Sequence, residues 1–392
     1  MDSGIIATNL VRLRKGRRKT QEDVASEAGL SRGAFRKIEK GRAVPKVEHL
    51  RAIASALDVP LRELVTPVPR LHRVRFRSLK RLKSRDQVLV AVGRWLHDFN
   101  ELEELLGEQV PHELGALWER VAELRPQGVE AVAAAAREHF GLSVREPVHD
   151  ICGLLESRGV KVHSVQVAND AFLGLSVAEE DGGPAVVVNT WDRLAVEHWI
   201  YSAVHELGHL LLHIGAYDVG EEEEDQDQER EAEVFASHFL MPKGVFWREW
   251  SDTAGLALLD RVLKVKRVFR VSWRTVLYRV SEPLPKADRA AIWKRMNIEF
   301  KRRYRRPLLK LTEPNGVAEG VFRAPVIAGP GTEPARLEKH DFQDDRLARL
   351  VRQAVEREVI TLGRGAELLG LPLDEMRERA SSWRVIPPVD PK

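Results

Sequence analysis

The chain has 392 residues, of which 43% are hydrophobic, with a single cysteine and a formal net charge of +3 at pH 7. That length allows two or three domains, and the lone Cys152 excludes an internal disulfide framework and suits a reducing cytoplasm. No apolar run reaches bilayer length and no signal-peptide core opens the chain, so the expectation is a cytoplasmic protein without a membrane span.

The near-neutral total conceals an asymmetry. Residues 1–85 hold 22 Lys and Arg against 8 Asp and Glu, an excess of 14 positive charges; the remainder, 40 against 51, is net −11. A polyanion is therefore expected as partner for the first part only.

Residues 1–66 read as a bundle of short helices. Ile5 to Lys15 turns Ile6, Leu10 and Leu13 inward. Thr20 caps the next helix, Gln21 to Ala28, with Asp23 at the capping-box position, and Gly29 ends it. Ser31 caps a third, Arg32 to Lys40, stopped by Gly41; Val47 to Leu57 and Leu61 to Val65 close the bundle. Two helices joined through Ala-Gly-Leu-Ser describe a helix-turn-helix. With Leu-Arg-x-x-Arg, Thr-Gln-Glu-Asp-Val-Ala, Ile-Glu-Lys-Gly-Arg and Pro45, the segment resembles the XRE/Cro-type repressor domain over residues 5–65. The resemblance implies double-stranded DNA as ligand, read by a dimer at two half-sites. Arg32 and Arg36, one turn apart, suit guanine O6 and N7. Lys37, Arg42 and Gln21 suit phosphates, and Ser31, as cap of the recognition helix, stands among these DNA-facing residues. Gly33 is unusual inside such a helix.

Pro67-Val-Pro69 marks a boundary. Arg70 to Arg85 is densely basic with scattered apolar residues, and fits equally a phosphate-contacting extension or an exposed strand packed on the next domain. Helices follow at Asp86–Gly107, Glu113–Leu124 and Val129–Phe140, expected as a structural or dimerising connection over residues 67–145.

Residues 146–250 change character. A helix from Val148 to Ser157 leads into strands at Val160–Val167, Phe172–Val177 and Ala185–Val188, the last two separated by an Asp-Gly-Gly-Pro turn at 181–184. Then comes the apolar helix Trp199–His213, which carries His205-Glu206-Leu207-Gly208-His209. Two imidazoles four residues apart share one helix face and can hold one Zn²⁺ at about 2.0–2.1 Å each. Glu206 lies roughly 100° round the helix, where a general base can reach water without ligating the metal. His213 shares the histidine face but is about 6 Å further along the axis than His209, so it is expected in a supporting place.

A third ligand is needed, and Glu229-Arg-Glu231-Ala-Glu233-Val-Phe-Ala-Ser-His-Phe-Leu-Met-Pro242 supplies candidates on a helix with Ala232, Phe235, Ala236, Phe239 and Leu240 buried. Helical geometry alone does not choose among Glu229, Glu231 and Glu233. His-Glu-Leu-Gly-His-Leu-Leu-Leu-His followed by Glu-x-Glu-Ala-x-x-Phe-Ala-x-x-x-Leu-Met-Pro resembles the ImmA/IrrE family of zinc metallopeptidases, over roughly residues 145–250. The resemblance implies Glu231, directly before Ala, as third ligand; the family's usual Asn is Glu233 here. Tyr201, Tyr217 and His238 are candidates for stabilising an oxyanion.

The tail, 251–392, carries helix-turn-helix echoes at Val265–Val280 and Thr361–Gly370, a basic cluster at Lys301–Arg306, and a Pro- and Gly-rich linker at 307–340. It is expected to be a helical subdomain, 251–306, and a small helical domain, 341–392, ending in a disordered Pro-rich tail. The fold class expected is therefore α+β and mostly helical: an all-α helix-turn-helix bundle, a zincin-like module with a small β-sheet, and a C-terminal helical subdomain. The function expected is a DNA-binding regulator with a zinc-dependent endopeptidase that cuts a repressor, or itself, to switch a stress or mobile-element response. The alternative is a transcription factor whose peptidase-like domain senses a ligand or binds a partner without proteolysis.

Overall fold

Side-chain caps divide the N-terminal segment into the helices its sequence predicts. The Thr20 hydroxyl accepts from the Asp23 amide at 3.1 Å while the Asp23 carboxylate accepts from the Thr20 amide at 2.7 Å, a complete capping box. The Ser31 hydroxyl accepts from the Ala34 amide at 3.2 Å. In the computed structural model, the residues described are 3–17, 19–67, 69–76, 85–143, 146–220, 225–314 and 337–383. They form two compact units, residues 1–71 with 84–97, and residues 72–83 with 98–392.

The first unit holds α1 (Ser3–Gly16), α2 (Gln21–Glu27), α3 (Arg32–Glu39), α4 (Val47–Ala56) and α5 (Arg62–Val65). Its core is Ile6, Leu10, Leu13, Val24, Phe35, Ile38, Leu50, Ile53, Leu57 and Leu64, the apolar positions that recur at helical spacing. Buried Asn9 ties the last helix down, donating to the carbonyls of Leu64 at 3.2 Å and Thr66 at 2.9 Å. Glu39, also buried, receives Arg14 Nε at 2.6 Å and the Gln21 amide. That pairing fixes α2 and α3 relative to α1.

The second unit begins with β1 (Val74–Phe76), one of the two readings open for the basic stretch; residues 77–84 of that stretch lie outside the described residues. Helix α6 (Arg85–Leu106) contributes its later residues here. There follow α7 (Leu114–Leu124), α8 (Val129–His139), α9 (Ile151–Glu156), β2 (Lys161–Val165), β3 (Gly174–Val177) and β4 (Ala185–Asn189). The four strands run in the order β1-β3-β4-β2, with β1 and β4 antiparallel to β3 and β2 parallel to β4. Every residue of β3 and β4 is buried, because helices cover the sheet. The outer side of β2 is capped where the Ser164 amide donates to Asp344 at 2.7 Å.

Helix α10 (Val196–Leu212) lies against β3, β4, α7, α9 and α11 (Gln226–Leu240). Helices α7 and α8, expected in a connection, contribute Leu114, Leu117, Val121, Val132, Ala133 and Ala136 to the core around α10. The end of α10 is held by side-chain donors: Trp118 Nε1 to the Leu210 carbonyl and Arg125 Nη1 to that of Leu212, both at 2.9 Å. Orphan C-terminal carbonyls are thereby satisfied without solvent.

Beyond the sheet come α12 (Lys243–Asp252), α13 (Leu258–Phe269), α14 (Trp273–Ser281), α15 (Lys286–Tyr304), α16 (Arg346–Glu356), α17 (Leu362–Leu369) and α18 (Leu373–Ser382). Ser272 caps α14 and Thr361 caps α17, matching the turns expected there. Residues 221–224, most of the linker (315–336) and the Pro-rich tail (384–392) lie outside the described residues. Among the described residues no helix is long and apolar enough to cross a membrane.

Candidate metal centre and nucleic-acid face

The close approach of α10 and α11 builds the site. At Gly208 a Cβ would meet Phe235 Cδ1 at 3.0 Å and Ala232 Cα at 3.4 Å, so a larger residue there would press on α11. Helix α11 starts from the Asp225 cap, whose carboxylate accepts from the amides of Asp227 at 2.9 Å and Gln228 at 3.2 Å. That start sets Glu229 in the first full turn, facing α10.

His205, Glu206 and His209 are all buried. The two Nε2 atoms of His205 and His209 are 3.0 Å apart. The Glu229 carboxylate reaches them from α11, at 3.3 Å from His205 and 3.2 Å from His209. These three donors converge on one point and could hold a metal ion. Separations of 3.0–3.3 Å match the edge of about 3.3 Å between ligands of a tetrahedral zinc at about 2.05 Å, so the set fits that ion. Burial works against the charge on Glu229, yet the hydrogen bonds to His205 and His209 hold its carboxylate well below the usual range. Burial also pushes the His209 imidazole down to about 4, which keeps it neutral, as a ligand must be.

The resemblance implied Glu231 as third ligand; the carboxylate that the structure brings to His205 and His209 is that of Glu229. Residues 229 and 231 are about 200° apart round the helix, so only one can face α10. Glu229 is three residues before Ala232 and seven before Ala236, on the buried stripe; Glu231 is off it. Instead, Glu231 accepts from Arg125 Nη2 at 2.7 Å and bonds His213 Nε2 at 2.8 Å. His213 Nδ1 in turn lies 3.0 Å from His209 Nδ1. For His209 to present a lone pair at Nε2, its Nδ1 must carry the proton and donate to His213 Nδ1. His213 then donates from Nε2 to Glu231. Glu231 is thus two steps removed, fixing the tautomer of His209 through His213. His213 thus lies between His209 and Glu231.

About 100° round α10 from His205, Glu206 faces β3. Ser176 Oγ donates to Glu206 Oε2 at 2.8 Å and lies 2.7 Å from the Tyr217 hydroxyl, which therefore donates to Ser176. A Cβ at Gly174 would meet Glu206 Oε1 at 3.2 Å and the Val187 carbonyl at 2.8 Å, so the strand crosses the carboxylate closely. Of the three oxyanion candidates, Tyr217 is buried and directs its proton into this chain. Tyr201 donates to the Glu233 carbonyl at 3.0 Å, and His238 packs against Arg279.

Sequence reasoning missed Ser176 and Arg75. Arg75, on β1, donates to Gln228 Oε1 at 2.6 Å and pairs with Glu229 at 3.4 Å. Nothing local in the sequence announces either residue, since each is set by strand pairing. Glu229 carried a usable signal, its place at the head of the buried stripe.

In the first unit, Ser31, Arg32, Arg36, Lys37 and Arg42 are all exposed on or beside α3, and Gln21 is half-buried at the start of α2. Arg32 pairs with Glu22 at 3.5 Å on the surface, while Gln21 is tied to Glu39.

Residues 10–64 match the helix-turn-helix family, and residues 155–281 match the IrrE N-terminal-like domain family. The HTH-type transcriptional regulator y4dJ of Sinorhizobium fredii is 40% identical over 63 residues, 16% of this chain and 82% of that protein. The cryptic phage CTXphi transcriptional repressor RstR of Vibrio cholerae is 39% identical over 59 residues, 15% of this chain and 53% of that protein.

Proposed function

Since the chain belongs, through its first unit, with the helix-turn-helix transcriptional regulators and joins to it an IrrE N-terminal-like peptidase domain, we propose that it is a DNA-binding regulator whose second unit is a zinc-dependent endopeptidase. The observation that carries the reading is a buried carboxylate, Glu206, next in sequence to His205, whose imidazole converges with that of His209 and with the Glu229 carboxylate. A metal site serving structure alone has no need of a carboxylate held there by Ser176 and Tyr217.

His205, His209 and Glu229 would hold the ion. Bound there, zinc supplies Lewis acidity and an acidified water. Glu206 accepts the proton of the attacking water and returns it to the leaving amine. Ser176 and Tyr217 hold that carboxylate in place, and the His213–Glu231 pair keeps the Nε2 lone pair of His209 turned inward. The substrate proposed is a protein, in the first instance a transcriptional repressor, cut to switch a stress or mobile-element response. The DNA unit is proposed to act as a homodimer on two half-sites, through Ser31, Arg32, Arg36, Lys37, Arg42 and Gln21.

The test is turnover of a quenched fluorescent peptide library by zinc-loaded protein, beside Glu206→Gln of equal zinc content. Turnover lost in the variant and on adding a chelator supports the reading. Zinc-loaded wild type that cuts nothing the variant leaves intact overturns it, in favour of a sensor domain.

A further inference from the structure

The strand β1 stands where a peptide would. A metallopeptidase presents an extended segment to its metal by pairing it with a sheet edge beside the ligand helix. Here the strand that crosses Glu206 is β3, through Ser176 and Gly174, and β4 covers its other side. The edge of β3 toward β1 is therefore the one available for a peptide, and this chain fills it. Val74 pairs with Val177, Arg75 with Ser176 and Phe76 with Leu175, antiparallel.

The register is informative. Side chains of directly paired residues project from the same face of a sheet, so Arg75 shares the face of Ser176. From there its guanidinium reaches Gln228 at 2.6 Å and Glu229 at 3.4 Å. A cation thus sits on the carboxylate of the candidate ligand set. The segment is also anchored just before the strand: the amides of His72 and Arg73 donate to Asp181 at 2.5 and 2.6 Å, and the Arg73 carbonyl accepts from Ala178 at 2.9 Å.

We propose that Val74–Phe76 is a built-in pseudosubstrate, which occupies the peptide-binding edge of β3 and must leave it before an extended segment of like chemistry, apolar–basic–apolar, can enter. The proposal rests on the peptidase reading for what happens next, but not for the binding itself.

The experiment uses the full chain in the Glu206→Gln background, with a fluorescein-labelled peptide of residues 72–78 as probe. Val74→Cys with Val177→Cys places two thiols across the β1–β3 register, where antiparallel partners about 4.5–5.5 Å apart fall within disulfide reach. Oxidation should weaken probe binding at least about tenfold, with reduction restoring it. A second variant, Arg75→Glu, sets two carboxylates together and should release β1, tightening probe binding by about tenfold or more. Equal binding in both redox states, failure of the bridge to form, or unchanged binding in Arg75→Glu would each overturn the proposal. Because the readout is binding, it separates from the peptidase reading. Lock-sensitive binding in a protein that never cleaves would sink the enzyme alone, and cleavage indifferent to the lock would sink the pseudosubstrate alone.

Discussion

Glu229 and Glu231, two residues apart on α11, divide three histidines between them: Glu229 lies 3.2–3.3 Å from His205 and His209 on α10, and Glu231 lies 2.8 Å from His213, just past the end of that helix. The division follows from helical rotation and gives each carboxylate a different consequence when removed. Glu229→Gln takes away a charged donor and should abolish stoichiometric zinc after dialysis. Glu231→Gln leaves the donor set whole but loosens the tautomer of His209, so zinc should remain, bound about 10–100-fold more weakly, as for other residues that orient a ligand. Zinc titration against a competing chelator measures both. Equal loss in the two variants would return Glu231 to the metal.

The helix contact at Gly208 makes a stability prediction with an internal control. Gly208→Val drives side-chain carbon into Phe235 and Ala232 and should cost about 1–3 kcal/mol or more. Gly33→Ala, within α3, meets nothing within 4 Å and should stabilise its unit by about 0.5–1 kcal/mol through helix propensity. Urea melts of the two variants would show opposite signs.

Glu156 predicts a pH dependence away from the metal. Its side chain is 2% exposed, no hydrogen-bond partner for it is found among the described residues, and burial, reinforced by Asp344 and opposed by Arg346, pushes its carboxyl up to about 8. Between the ordinary carboxylate range and that value, the folded chain keeps a proton that the unfolded chain releases. Its stabilising effect is complete at low pH and is lost as pH rises through about 8. Glu156→Gln removes the titration. It should leave the melting temperature near wild type at pH 5 and raise it at pH 9, by a free energy on the order of 2–4 kcal/mol. An increase of the same size at both pH values would contradict the assignment.

The α3 face predicts two kinds of DNA defect. Arg36→Ala should cost about 1–3 kcal/mol on the cognate site and relax preference at one base pair. Lys37→Ala should weaken binding across sequences alike and lower the salt slope by about one. Fluorescence anisotropy on cognate and scrambled duplexes, across a salt series, distinguishes them.

Much of this was legible in the sequence, because it is local. Thr20 with Asp23, Ser31 and Gly29 mark the helix-turn-helix by their own backbone chemistry, and the spacing of His205 and His209 fixes one helix face whatever surrounds it. What was not legible depends on partners far along the chain. Glu229 was left open beside Glu231 and Glu233, and the resemblance pointed to Glu231, whereas the structure brings Glu229 to His205 and His209. The order of acids in a motif does not say which faces the neighbouring helix; the stripe through Ala232 and Ala236 does. Ser176 reaches Glu206, and Arg75 reaches Glu229, only through the packing of β3 and β1 against α10 and α11. Helices α7 and α8 read as a connection because amphipathicity shows that a face is buried, not what buries it.

The central claim is that Glu206 makes this regulator a protease, and the most direct measurement is in the host. Wild type and Glu206→Gln would be expressed at equal levels, each confirmed to hold zinc, and newly formed protein N-termini compared by mass spectrometry under inducing stress. The account predicts at least one internal N-terminus, in a transcriptional repressor or in this chain, that is present with wild type and absent with the variant. Identical sets of N-termini, with the regulated genes responding alike in both strains, would contradict it.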